Sequence, residues 1–364
     1  MLFRPGGATT YGPPACGEKA FAQAARFCAC VAEPPPTPGV AGRSAPVGFA
    51  KEFEIMFDEQ QVKAAVIHAG LRLSQKYLRD APTPWGKEFL WQRVCCSYIN
   101  WRDIELVAET RFGSRFHCNV SDMIQNRIIY FGVWEPNLTA FLQRRLSDGD
   151  GFIDVGANIG YYSILAAQKV GKTGCVLGIE ASPSIFATYC ENISLNRADV
   201  VRAVNVAVSD HDGTITIYRA DGSNIGATTT LGERGFPVEC QVPCAPLTRI
   251  ATPDELRRAR IIKIDVEGAE LQVLTDIAEN LHAFRDDLEI VTEVAPRESA
   301  AEAQAWRALL DRFAASGFHT YQLVNDYRGQ AYVHQSAPTP PTRLSQLPAR
   351  QCDVVLSRQF ADAL

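Results

Sequence analysis

The chain has 364 residues, of which 46% are hydrophobic and 21% charged, an ordinary globular composition with room for one large core or two domains. Its formal net charge of −5 argues against a nucleic-acid partner, which would call for a basic face or stripe. No run of about 18 uncharged apolar residues is present, and the N-terminus lacks the layout of a secretory signal. The expectation is a soluble, cytoplasmic protein with neither a membrane nor a nucleic-acid partner.

Residues 1–50 are rich in Gly, Pro and Ala and end in "EPPPTPGVAGRSAPVG", which predicts a disordered segment with at most a short helix around Phe21–Val31. Val62, Val66, Ala69, Leu73 and Tyr77 recur at steps of three or four, marking one face of a helix. "IELVAET" and "RFHCNV" flank "RFGS" and predict a β-hairpin with Gly113 in the turn. "EPNLTAFLQRRL" reads as a helix with Pro136 in its first turn. Residues 51–122 are thus expected to form a mixed helix and hairpin unit, a cap or a homodimer contact, ahead of a main domain over 123–364.

From residue 151 strands alternate with helices: "GFIDV", "GCVLGIE", "VVRAVNVAVS", "IIKIDV", "LEIVTEV" and "DVVLSR" as strands, with helical stretches such as "YYSILAAQKV" and "AELQVLTDIAENL" between them. That alternation predicts an α/β fold built on βαβ units, with a mostly parallel sheet covered on both faces. The eleven cysteines are scattered without zinc spacing, and no structural metal is expected. Cys175 and Cys190 fall in apolar segments and read as small buried hydrophobes.

In such a sheet a ligand binds beyond the carboxyl ends of the strands. The first strand runs into Asp154, Gly156, Asn158 and Gly160, where glycines let backbone approach a ligand closely. A dinucleotide turn would read G-x-G-x-x-G, whereas here Asn158 stands where the second glycine belongs. With Asp154 two residues before Gly156, the turn suits an amine or a ribose better than a pyrophosphate; otherwise Asp154 simply caps the strand. Glu180 ends the second strand, where an acid accepts hydrogen bonds from ribose hydroxyls. It also precedes a helix start with Ser182 as cap and Pro183 in first position. Asp210, after the third strand, is placed to meet an adenine amino group or to serve as a polar turn residue.

"FGVWEPNLTAFL", "FIDVGANIGYYSILAA", "IEASPSIFATYCENISLN", "NVAVSDHDG" and "IIKIDVEGAELQVL" occur in this order between residues 105 and 357. With them the chain resembles the FkbM family of S-adenosylmethionine-dependent methyltransferases. The resemblance implies a Rossmann-like seven-stranded sheet with a reversed last hairpin, helices on both faces, and methyl transfer to a hydroxyl oxygen of a sugar, polyketide or related small molecule. By position it places Asp154, Gly156, Asn158 and Gly160 at the methionine part of S-adenosylmethionine. Glu180 falls at the ribose, Ser209 and Asp210 at the adenine, and Glu135 in a segment closing over the cofactor. Glu135 read alone is a first-turn acid favouring the helix dipole.

An alcohol acceptor must lose a proton during attack, so a base within reach is expected. Asp265 ends the fourth strand and Glu267 follows two residues on, on the same side as Lys263. These two acids are the catalytic candidates, with Asp265 also in the cofactor shell. Glu293 from the neighbouring strand extends the cluster toward the acceptor. The alternatives are a capping role for Glu267, a Lys263–Asp265 pair, or a divalent cation held by the acids, which is less favoured. The polar stretch 219–235 predicts a lid, with Asn224 and Thr228 as acceptor contacts. No histidine stands in a nucleophile arrangement. Two competing functions remain: a nicotinamide-dependent oxidoreductase, disfavoured by the missing G-x-G-x-x-G, and a non-catalytic protein that keeps the cofactor fold.

Overall fold

A computed structural model of the chain describes residues 59–220, 224–230, 232, 235–294, 299–334, 337–345 and 351–359. The expected disordered segment and the short helix around residues 21–31 lie outside the described residues.

Helix α1 (Glu59–Asp80) forms as the periodicity predicts, but turned to a different face. Leu71, Ser74 and Leu78 are buried, whereas Val66 and Leu73 stand 65% and 70% exposed. Two apolar rows run along this helix about one residue apart, and packing selects the other one. A short helix, Lys87–Phe89, passes into a π-helical stretch, Leu90–Ile99. Strands β1 (Glu105–Glu109) and β2 (Arg115–Asn119) then pair as the expected hairpin, with Gly113 at φ +84° in its turn.

Helix α2 (Met123–Phe131) starts on Asp122, whose carboxylate accepts the Gln125 N–H. Helix α3 (Pro136–Arg145) follows. The alternating region comprises β3 (Gly151–Val155), α4 (Tyr161–Val170), β4 (Cys175–Ile179), α5 (Pro183–Asn196) and β5 (Val201–Val204). Ser182 caps α5, accepting the Ile185 N–H, with Pro183 in the first turn. After β6 (Ala207–Val208), β7 (Gly213–Tyr218) and β8 (Val238–Ala245) come α6 (Pro253–Arg258), β9 (Ala259–Ile264) and α7 (Glu270–Glu279). The last elements are β10 (Glu289–Val294), α8 (Ala300–Ala315), β11 (His319–Leu323), α9 (Gly329–His334), β12 (Thr342–Arg343) and β13 (Cys352–Ser357).

The main sheet has the order β12-β11-β13-β10-β9-β3-β4-β5. Strands β5, β4, β3, β9 and β10 run parallel, and β13 lies antiparallel between β10 and β11. This is the Rossmann-like arrangement with a reversed last strand, and the strand order changes direction between β3 and β9. Seven strands are as expected; the eighth, β12, is a two-residue edge strand in the proline-rich stretch 337–344, which carries no alternation. The stretch expected as one strand over 200–209 divides. Asn205 donates to the carbonyls of Glu180 and Ala181, each at 2.8 Å, and β6 leaves the main sheet to pair with β8 in a three-stranded sheet with β7.

Both faces of the sheet are covered, which is why its strands read as unbroken apolar runs. Adjacent residues on β3 serve opposite cores. Phe152 joins Phe131, Phe141, Ile164 and Val355, a cluster that reaches Leu71, Trp91 and Phe116 of the N-terminal elements. Ile153 joins Ile262, Val273, Trp306 and Phe313 on the other side. Among the described residues the cysteines are free thiols, with Cys175 and Cys190 half-buried rather than buried. Among the same residues no helix is long and apolar enough to cross a membrane.

Candidate active site

The carboxyl ends of β3 and β9 meet without space for a side chain between them. Gly156 sits at φ +81°, and a Cβ there would lie 1.8 Å from the carbonyl oxygen of Asp265. Gly160, at φ +87°, opens α4 against the ring of Tyr189, which a Cβ would approach to 2.2 Å. These contacts, more than tightness of turn, explain the glycines of "DVGANIG". Asn158 between them adopts φ +51°.

Glu180 follows directly after β4 and is buried. Its Oε2 accepts the Asn158 N–H at 2.9 Å and its Oε1 accepts the Ser182 N–H at 2.8 Å. Each oxygen retains a second lone pair. Burial pushes this carboxyl up to about 7, with Asp154 and Glu239 adding repulsion.

A cavity of about 280 Å³ opens over this corner of the sheet. Of the sequence-predicted residues, Glu135, Gly156, Asn158, Glu180, Asn224, Thr228, Asp265, Glu267 and Glu293 line it together. Asp154, Gly160, Ser209 and Asp210 do not. Asp154 is fully buried beneath the turn, its Oδ2 accepting the Ser163 hydroxyl at 2.7 Å and its Oδ1 3.9 Å from the Lys263 ammonium. Asp210 is exposed and bonds His211 at 2.6 Å. Beyond Glu180 the cavity wall is apolar, from Ala181, Ile185, Val206 and Ile217.

Glu135 departs furthest from the first-turn expectation. It precedes α3 at φ +39°, and its side chain makes no cap. Its carboxyl is buried and clasped by tyrosines: Tyr162 donates to Oε2, and Tyr327 donates to Oε1 at 2.9 Å. Its N–H donates to Tyr332 at 3.2 Å, and Trp134 packs between the rings of Tyr327 and Tyr332. Burial pushes the Glu135 carboxyl up to about 8, with Asp353 next in effect. Three of the four non-glycine residues with positive φ among the described residues, Glu135, Asn158 and Glu267, line this one cavity. Backbone strain of this kind gathers where a site over-determines it.

Another part of the cavity wall is acidic, with Asp265, Glu267, Glu293 and Asp353. Lys263, buried on β9, lies 3.1 Å from Asp265. Burial alone would lower its ammonium, but Asp265, Asp154 and Glu135 together hold it above its usual value. Asp353, at the start of β13, also lines the cavity; Tyr327 lies 3.2 Å away and Asn325 donates at 2.7 Å. Burial raises it to about 6. Glu293 accepts from Gln351 and is pushed by burial up to about 8, with Asp265, Asp353 and Glu267 contributing. Ahead of α7, the Gly268 N–H donates to the Glu270 carboxylate at 3.1 Å. Among the described residues no group of three His, Cys, Asp or Glu side chains is arranged to hold a metal ion.

Sequence reasoning missed Tyr162, Tyr327 and Asp353. Asp353 carried a usable signal: the first residue of a strand antiparallel to its neighbours lies at the edge where the parallel strands end. Tyr327, on the loop between β11 and α9, carried none.

Residues 154–320 match the family model described as Methyltransferase FkbM domain. Methyltransferase 1 of Beauveria bassiana (strain ARSEF 2860) is 26% identical over 148 residues, which is 35% of this chain and 58% of that protein. Methyltransferase sdnD of Sordaria araneosa is 27% identical over 156 residues, 35% of this chain and 60% of the relative. The chain therefore spans less than two thirds of the length of these relatives. A SAM-dependent O-methyltransferase of Thermotoga maritima of known structure aligns over 70% of this chain and 78% of its own, at 13% identity and a TM-score of 0.33.

Proposed function

From the match of residues 154–320 to the FkbM methyltransferase domain we propose that the chain belongs to that family and moves a methyl group from S-adenosylmethionine to a hydroxyl oxygen of a small molecule. The observation that supports this most is Glu180. A buried carboxylate at the end of β4, fixed by two backbone N–H groups and keeping a free lone pair on each oxygen, suits a ribose diol. The apolar wall of Ala181, Ile185, Val206 and Ile217 beside it suits a flat base. Bound there, S-adenosylmethionine supplies a methyl group on a positively charged sulfur, open to in-line displacement.

The chain's own residues then have separable tasks. Glu180 and the Asn158 turn hold the nucleoside end. Glu135, clasped by Tyr162 and Tyr327, closes the cavity from the N-terminal side and excludes water from it. Asp265 and Glu267 stand at the mouth, where a carboxylate takes up the proton that an acceptor hydroxyl gives up. Glu293, which keeps its proton to about pH 8, presents an O–H donor that an alcohol oxygen accepts. Much of the rate enhancement then comes from placement of the acceptor in line with the methyl group.

Calorimetric titration of wild-type and Glu180→Ala protein with S-adenosylhomocysteine tests the reading. Weakened binding in the variant supports it; equal dissociation constants remove the ribose assignment.

A further inference from the structure

The cavity of about 280 Å³ lies near the lower end of the roughly 300–1,000 Å³ that holds one small ligand. Methyl transfer brings two molecules together, and this volume leaves little for the second. A second cavity of about 1060 Å³ lies alongside, and Met123 and Ile225 line both. The partition is therefore the first residue of α2 and the short turn Ile225–Ala227.

This partition is tied at both ends, and differently at each. Asp122 is buried, and while its Oδ1 caps α2 through the Gln125 N–H at 2.8 Å, its Oδ2 accepts the Ile225 N–H at 2.9 Å. At the far end, the Thr229 hydroxyl donates to the Glu267 carbonyl at 2.6 Å. Between them Gly226 lies flat on the site: a Cβ there would stand 2.6 Å from Ile124 and 3.2 Å from the Asn158 amide. The turn thus rests on the glycine loop of β3, held at its start by the Asp122 carboxylate and anchored at its end where Thr229 pairs with the Tyr218 backbone and Thr228 accepts the Ala220 N–H.

The second cavity has its own chemistry. Trp101, 80% exposed, and Val107 offer apolar surface, with the Asn119 and Gln125 amides beside them. The carboxylates Asp103, Glu105 and Glu191 outnumber Arg127 and Arg219 on its wall, which disfavours an anion.

We propose that the second cavity receives the flat apolar body of an uncharged methyl acceptor, and that the turn 224–227, latched by Asp122 and hinged where Thr229 pairs with Tyr218, is the wall that moves aside to admit its hydroxyl to the first cavity. The proposal rests on reading the first cavity as the place of methyl transfer, and its tests use no methyl donor.

Amide hydrogen exchange on the full chain reads the latch. Asp122→Ala should speed exchange at residues 225–227 about tenfold, while Thr229, β3 and β9 keep their protection. Asp122→Asn, with one acceptor oxygen for the two N–H groups of Gln125 and Ile225, should fall between wild type and the alanine variant. Unchanged exchange at 225–227 in the alanine variant overturns the latch. For the occupant the probe is 2-naphthalenemethanol, a flat neutral alcohol, titrated against the indole NMR signal of Trp101 assigned through Trp101→Phe. A saturable shift of that signal, with 2-naphthoate giving none, is the expected result. No response of Trp101, or a response of Trp134 alone, overturns the acceptor assignment. A chain that meets both expectations yet fails to bind S-adenosylmethionine would overturn the donor reading and leave the cavity and its latch standing.

Discussion

The main-chain N–H of Asn158 donates to the carboxylate of Glu180 at 2.9 Å, which joins the glycine turn after β3 to the end of β4. One acid thereby fixes the backbone of the turn and offers its remaining lone pairs to the cavity. Its removal should cost affinity twice, through the lost acceptor and through a loosened turn. Charge-assisted hydrogen bonds contribute about 1.5–3 kcal/mol, so Glu180→Ala should weaken S-adenosylhomocysteine binding roughly tenfold to a hundredfold. Calorimetry at fixed pH measures this directly.

Affinity should also depend on pH. The Glu180 carboxyl sits at about 7, and only its ionised form accepts from both ribose hydroxyls. Binding is therefore expected to be flat above pH 7 and to weaken as pH falls below it, approaching about tenfold per unit. Glu180→Gln should bind more weakly throughout and flatten this dependence. A wild-type profile that is level from pH 5.5 to about 8 would assign the nucleoside contact to another group.

Stability should carry the mark of Glu135. Its carboxyl is held to about 8 in the folded chain, against an ordinary value of 4.5. Between those values the folded state binds more protons than the unfolded one, so this group's contribution to stability is full below pH 4.5 and is lost as pH rises through about 8. Glu293, at about 8, acts in the same direction. Glu135→Gln should make the fall in melting temperature from pH 5 to about 9 shallower than in wild type. Parallel curves for the two proteins would contradict the buried, protonated carboxyl.

A second stability prediction concerns the base of the sheet, away from the cavity. Glu289 on β10 is 1% exposed and accepts from Arg145 at 2.6 and 2.9 Å, from Arg260 at 3.1 Å and from Ser357 at 3.0 Å. Truncation takes the buried carboxylate away from two guanidinium groups, and breaking a buried pair costs about 3–5 kcal/mol. Glu289→Ala should lower the melting temperature by roughly 10 °C, with adenosyl-ligand affinity preserved at temperatures where the variant is folded. A loss of less than about 1 kcal/mol in denaturant unfolding would show that water reaches these charges.

What the sequence made legible follows from which constraints are local. Apolar runs of five or six residues such as "GFIDV" and "ARIIKI" need burial on both faces, which left a covered parallel sheet as the natural reading. Glu180, Asp265 and Glu267 were within reach because a strand end fixes where the next side chains emerge. The tyrosine clasp was not, since Tyr162 and Tyr327 meet on Glu135 only after β11 and α9 return to the N-terminal side. The face of α1 failed for a different reason. Val66 and Leu73 lie on a row with helical spacing as good as that of Leu71 and Leu78, and only tertiary packing chooses between them. Asp154 was expected at the cofactor or as a cap on the strand end; its complete burial against Ser163 and Lys263 depends on neighbours from two other elements.

The central claim is that this cavity holds a sulfonium methyl donor by its adenosyl end. Calorimetric titration of the full chain with S-adenosylmethionine, S-adenosylhomocysteine and NAD in parallel tests it most directly. The account predicts saturable binding of both adenosyl ligands at near-equal affinity, with NAD silent. Binding of NAD alone would contradict it, and would return Glu180 to the ribose of a dinucleotide.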